Sequence, residues 1–102
     1  MTVQHITSEV FQKEVIESSV PVLLDFYASW CGPCKALSPV LEEVAAEAEG
    51  FKVFKVNIDE QPELTKKYRI MSVPTLVVVN EGKTQKRTSG VLSKEEILSM
   101  IS

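Results

Sequence analysis

The run Val22-Leu23-Leu24-Asp25-Phe26-Tyr27-Ala28 constrains this chain more than any other segment. It is nearly continuous in apolar residues rather than alternating. That is the pattern of a central strand covered on both faces. Soon after it, Leu37, Val40, Leu41, Val44, Ala45 and Ala48 recur at i, i+3, i+4, i+7, i+8 and i+11, an apolar stripe along one side of a helix. Glu42, Glu43 and Glu47 fall off the stripe, on its solvated face. A doubly covered strand leading into an amphipathic helix belongs in a layered α/β domain.

The flanking segments extend this alternation. Val3 to Ile6 is a short first strand, and Thr7 or Ser8 caps a helix through about Ile16 that turns Phe11 and Val15 to one face. The striped helix ends at Gly50, and Pro39 inside it predicts a kink. Phe51 to Ile58 is a third strand. Asp59 to Pro62 opens a short helix carrying Leu64 and Tyr68, with Pro62 in the first turn, where its missing N–H costs little. Thr75 to Val79 is a β-branched strand, Asn80-Glu81-Gly82-Lys83 a turn, and Lys83 to Thr88 a polar strand suited to a sheet edge. Ser93-x-x-Glu96 is a capping box for a last helix with Ile97 and Ile101. The order β-α-β-α-β-α-β-β-α predicts a central mixed five-stranded sheet flanked by four helices. Right-handed crossovers put the first two helices on opposite faces if the third strand pairs between the first two.

With 102 residues and no linker, repeat or charge block, residues 1–102 are expected to form a single domain. The net charge of -3 argues against nucleic acid as a partner and gives no reason to expect an anionic membrane surface. No apolar run approaches the length of a membrane span. The first residues lack a charged stretch followed by an apolar one, so nothing in them directs export. The two cysteines lie three apart, whereas a secreted disulfide scaffold needs more of them at wider spacing. The pair therefore reads as reactive thiols of a reducing compartment, and the expected location is the cytoplasm.

The chemical centre is Trp30-Cys31-Gly32-Pro33-Cys34-Lys35. It follows the central strand and leads into the striped helix, so Cys31 sits at a helix N-terminus, where unpaired N–H groups and the macrodipole favour an anion. A thiolate is the nucleophile of disulfide exchange. Gly32 permits a tight turn and open approach, and Pro33 suits the first helical turn. Spacing of three brings Cys34 to the same face, within disulfide reach of Cys31. Cys31 is expected to face the partner as nucleophile, with Cys34 deeper as resolving thiol. Half a zinc site, a structural disulfide and an inert buried pair compete with this reading. Zinc needs about four ligands, and the only other strong candidate is His5, more simply a surface residue. A structural disulfide closing so short a loop contributes only about 2 kcal/mol.

Asp25 stands inside the apolar strand, where ionising a carboxylate is costly, so its pKa should rise. It is either a general acid or base for Cys34 or a structural carboxylate fixed by hydrogen bonds. Lys55, in Phe54-Lys55-Val56-Asn57-Ile58, is either a neighbour across the sheet that tunes Asp25 or a surface lysine. Pro74 opens the fourth strand, and local sequence favours a trans bond before it.

Taken together, these residues resemble the thioredoxin family nearly end to end. The resemblance is carried by Asp25-Phe26-Tyr27-Ala28-Ser29-Trp30-Cys31-Gly32-Pro33-Cys34-Lys35, Pro39, Lys55-Val56-Asn57-Ile58-Asp59, Val73-Pro74-Thr75, Gly82 and Gly90-Val91-Leu92-Ser93. It implies the thioredoxin fold and reduction of protein disulfides by reversible oxidation of Cys31 and Cys34, with no bound cofactor or metal. It further implies a cis bond before Pro74 and a docking face of Trp30, Gly32, Pro33, Val73, Pro74 and Gly90. Electrons would come from a thioredoxin reductase. Targets would be oxidised proteins such as peroxiredoxin, methionine sulfoxide reductase and ribonucleotide reductase, met by a monomer. Tyr27 stands where many members have Trp, and Ser72 where many have Gly. Two alternatives stay open. One is an oxidase or isomerase of the same fold, which usually has His before the second cysteine. The other is a redox-switched binding module.

Overall fold

The computed structural model describes residues 3–102. Its elements run β1 (Gln4–His5), α1 (Ser8–Phe11, continued by a π-helical turn over Gln12–Ile16), β2 (Val22–Tyr27), α2 (Gly32–Ala46), β3 (Lys52–Asn57), α3 (Pro62–Lys67), β4 (Thr75–Asn80), β5 (Lys83–Ser89) and α4 (Lys94–Ile101). The five strands form one sheet in the order β1-β3-β2-β4-β5. β1 and β2 both pair parallel with β3, β2 pairs antiparallel with β4, and β4 with β5. This is the expected mixed sheet, with helices on both faces.

Strand alternation splits the core in two. Val22, Leu24 and Phe26 of β2 point to the face covered by α1 and α3, where they meet Phe11, Val15, Leu64 and Tyr68. Leu23 points to the other face, against Leu37, Leu41 and Val44 of α2 and Ile97 and Ile101 of α4. All of Val22, Leu23, Leu24 and Phe26 are fully buried, which is why β2 lacks alternation in hydropathy.

Several local expectations are corrected. The first strand is only Gln4–His5, although Val3 and Ile6 on either side are buried and the Ile6 N–H still donates to the Lys55 carbonyl at 2.9 Å. Thr7 holds the N-cap position of α1 with extended backbone but no side-chain bond. The Ser8 N–H is satisfied instead by Gln61 Oε1 at 3.0 Å, from the start of α3. Helix α2 stops at Ala46, four residues before Gly50, and Ala48 is exposed. Gly50, with φ +78°, turns the chain toward β3. The β4–β5 turn has positive φ at both Glu81 (+54°) and Gly82 (+77°), the two-residue geometry that matches strand twist. In α4 both bonds of the capping box form, Ser93 N–H to Glu96 Oε1 at 3.0 Å and Glu96 N–H to Ser93 Oγ at 3.1 Å.

Candidate active site

β2 ends at Tyr27, and α2 begins five residues later with Pro33 in its first turn. Cys31 is the N-cap residue of α2, extended at φ -93° and ψ 114°. Its Sγ accepts the backbone N–H of Cys34 at 3.2 Å. A cap normally uses a side-chain oxygen; here a sulfur takes the orphan N–H, which together with the helix dipole favours negative charge on that atom. The two cysteines are joined as a disulfide, with their Cα atoms 5.3 Å apart.

Burial does not rank the pair as expected. Each cysteine is only 5% exposed, and both pack with Ala28 against Tyr27, Ile58 and Val73. What separates them is position: Cys31 caps the helix, whereas Cys34 lies inside it. The Val73–Pro74 bond is cis. The Val73 carbonyl oxygen lies 3.7 Å from Cys31 Sγ, a contact that the disulfide sulfur makes without a proton to donate.

Around the pair, Trp30 is 68% exposed, and its indole N–H donates to Asp59 Oδ2 at 3.1 Å. Gly32 and Pro33 are exposed, while Val73 and Gly90 are half-buried. Pro74 is buried, so it contributes little surface to a docking face, contrary to expectation. Met71, 91% exposed, and Val91, next in sequence to Gly90, are exposed apolar residues that the sequence does not mark. Their signal was weak, because a lone apolar residue in a loop marks nothing by itself.

Asp25 is 1% exposed, and neither carboxylate oxygen has a hydrogen-bond partner among the described residues. Strand alternation aligns it with Leu23 and Tyr27 on the face covered by α2. Burial raises its pKa from 3.8 to about 7, against the opposing pull of the Lys55 charge. Lys55 is its register partner on β3. The Lys55 ammonium lies 4.5 Å from the centre of the Tyr27 ring and donates to Ser38 Oγ at 3.4 Å. A cavity of about 140 Å³ is lined by Tyr27, Cys34, Lys35, Ser38 and Lys55 among others. Ser38 was missed in the sequence because a serine on an otherwise amphipathic helix reads as a solvated position. No group of three or more potential metal ligands gathers among the described residues.

The sequence profile of the Thioredoxin family matches residues 2–102. The chain belongs to the thioredoxin family. It is 43% identical over 98 residues to a thioredoxin of Rickettsia felis, covering 95% of this chain and 93% of that one. It is 45% identical over 92 residues to a thioredoxin of Rickettsia conorii, covering 89% and 88%. To thioredoxin 1 of a Nostoc species it is 44% identical over 90 residues, covering 87% and 84%. Thioredoxins are dithiol–disulfide oxidoreductases of proteins, and this chain has the fold and the Cys31–Cys34 pair for that activity. The family works without a bound cofactor.

Proposed function

We propose that this single-domain thioredoxin acts in the cytoplasm as a monomeric reductant of protein disulfides, with Cys31 as nucleophile and Cys34 as resolving thiol. The observation that carries the assignment is the Cys34 N–H on Cys31 Sγ at the start of α2. In the dithiol the same donor stabilises a Cys31 thiolate. That thiolate attacks one sulfur of a target disulfide, forming a mixed disulfide and releasing the target's other sulfur as a thiolate, which takes a proton. Cys34 gives its proton to the Asp25 carboxylate and attacks Cys31 Sγ. The first target sulfur then leaves, and two electrons have moved to the target. The elevated pKa of Asp25, set by burial, suits a proton acceptor near neutral pH. Lys55 tunes it from the neighbouring strand.

Trp30, Gly32, Pro33, Val73 and Gly90 form the face on which a target docks, with Pro74 behind it. A thioredoxin reductase returns two electrons and two protons to the disulfide. Peroxiredoxins, methionine sulfoxide reductases and ribonucleotide reductases are the expected classes of target. The test is turnover: purified thioredoxin reductases with NADPH, catalytic amounts of this protein and excess oxidised peroxiredoxin. Sustained NADPH oxidation supports the reading. Binding of the oxidised target without turnover would instead make the protein a redox-switched binding module.

A further inference from the structure

Lys55 is half-buried on β3, and its ammonium meets side chains from β2 and α2. Among the described residues, Lys55 forms no salt bridge; the two ion pairs are Lys52–Glu14 and Lys94–Glu47. A lysine without a carboxylate partner swings on a flexible four-carbon stem. Here two groups confine it, the face of Tyr27 below the ammonium at 4.5 Å and the Ser38 hydroxyl at 3.4 Å. Tyr27 is itself held: its Oη lies 3.0 Å from His5 Nδ1, and the two rings meet edge to face at 5.6 Å. The chain β1–β2–β3–α2 thus converges on one ammonium group.

We propose that Tyr27 and Ser38 are positioning residues that hold the Lys55 ammonium at the cavity that Cys34 lines, one strand over from Asp25, and so set how readily Asp25 accepts the proton of Cys34. The inference rests on Asp25 being the proton acceptor. An ammonium kept close favours the charged carboxylate and offsets part of its burial. Released, it would leave Asp25 protonated to higher pH. The other titratable groups facing this cluster are His5 from β1 and Lys35 and Cys34 from α2. Glu42, one turn beyond Ser38, shares an outer surface depression with Ser38 and Lys35. From β4 the register partner of Asp25 is the uncharged Leu76.

The test pairs a carboxyl ¹³C NMR titration of Asp25 in the oxidised protein with stopped-flow reduction of insulin across the same pH range. Tyr27→Leu and Ser38→Ala should each raise the Asp25 midpoint by about half a pH unit, because the opposing positive charge is no longer held. At pH 7 each should slow insulin reduction about twofold, the fall in ionised fraction that such a shift implies from a midpoint of about 7. The deficit should vanish about two pH units higher, where Asp25 is ionised in every variant. Tyr27→Trp and Ser38→Thr, which keep the ring face and the hydroxyl, should restore the parent profile. In an Asp25→Asn background the first two changes should have no effect on rate. Ser38→Ala, on a half-buried helix position, keeps the test available if Tyr27→Leu does not fold. An unmoved midpoint in both variants, or slowing that is uniform with pH, overturns the proposal. If Asp25→Asn alone leaves reduction unchanged, Asp25 is not the acceptor and the claim on proton transfer falls with it. The NMR midpoint still decides whether Tyr27 and Ser38 hold the lysine.

Discussion

The backbone N–H of Cys34 donates to the sulfur of Cys31 at 3.2 Å, so the first cysteine is capped by the helix that contains the second. Both are equally buried, and this bond is the physical basis for assigning them different roles. Cys31→Ser should reduce disulfide reduction to the background rate. Cys34→Ser should accumulate a covalent complex with its target, because nothing remains to attack Cys31. Mass spectrometry of trapped complexes checks both. Trapping through Cys34 in the Cys31→Ser variant, with none in the other, would reverse the roles.

With Asp25 as the proposed proton acceptor, its burial sets stability against rate. Its pKa is raised from 3.8 to about 7 by burial. Between those values the native state holds a proton that the unfolded chain has released. Stability from this group is therefore greatest below pH ~4, falls as pH rises toward 7 and levels off above that. Each pKa unit is worth about 1.4 kcal/mol, so the full penalty is on the order of 4 kcal/mol. Asp25→Ala removes the penalty but leaves a small cavity. We expect it to stabilise the protein by on the order of 2 kcal/mol at pH 8, as the difference between those effects. At pH 3.5 the variant should be the less stable protein. The same change should slow resolution at neutral pH about a hundredfold, the scale of a lost general base. Urea melts at the two pH values and single-turnover reduction measure these effects; a variant less stable at pH 8 with normal resolution would contradict both.

Asp59 orders the most exposed aromatic side chain by accepting the Trp30 indole N–H. Removing that bond in Asp59→Ala should leave the ring free to reorient on the docking face. A lost hydrogen bond of about 1 kcal/mol corresponds to roughly a fivefold rise in KM for a protein disulfide. Reduction of a small aromatic disulfide, which needs no docking face, should be unchanged. Equal loss with both substrates would place Asp59 in the chemistry or in folding rather than in docking.

Arg87 joins the edge strand to the end of α3. Its guanidinium donates to the carbonyl of Tyr68 and, at 2.8 Å, to that of Arg69, whose φ is +51°. These carbonyls lie where α3 ends, and a cation there also meets the negative end of the helix dipole. Arg87→Ala should lower stability by about 1–2 kcal/mol, as expected for charge-assisted bonds that are partly exposed. A urea midpoint shifted at unchanged slope would show it. Arg87→Lys, which lacks the fork, should recover only part of the loss.

Local order was legible because each element is written in short-range chemistry. The unbroken apolar run of β2, the stripe of α2 and the capping box of α4 each act over a few residues, so no tertiary information was needed to read them. The redox pair was legible for the same reason, since its spacing and its helix start are local. Element ends were less so. Thr7 or Ser8 reads as a side-chain cap, but Thr7 holds the N-cap without a side-chain bond and Gln61 from a distant segment satisfies the Ser8 N–H. The helix was expected to reach Gly50, yet burial along α2 ends with Val44 and the helix itself at Ala46. The antiparallel pairing of β4 against β2 required folding in space, because no local pattern names a strand's partner. The same is true of the Asp25 surroundings. The sequence marked a carboxylate in an apolar strand, but the register with Lys55, and the Tyr27 face and Ser38 hydroxyl that meet its ammonium, come from three elements, β2, β3 and α2, brought together in space. Contacts between residues far apart in the chain depend on register and crossing geometry, and these arise only when the sheet and α2 pack together.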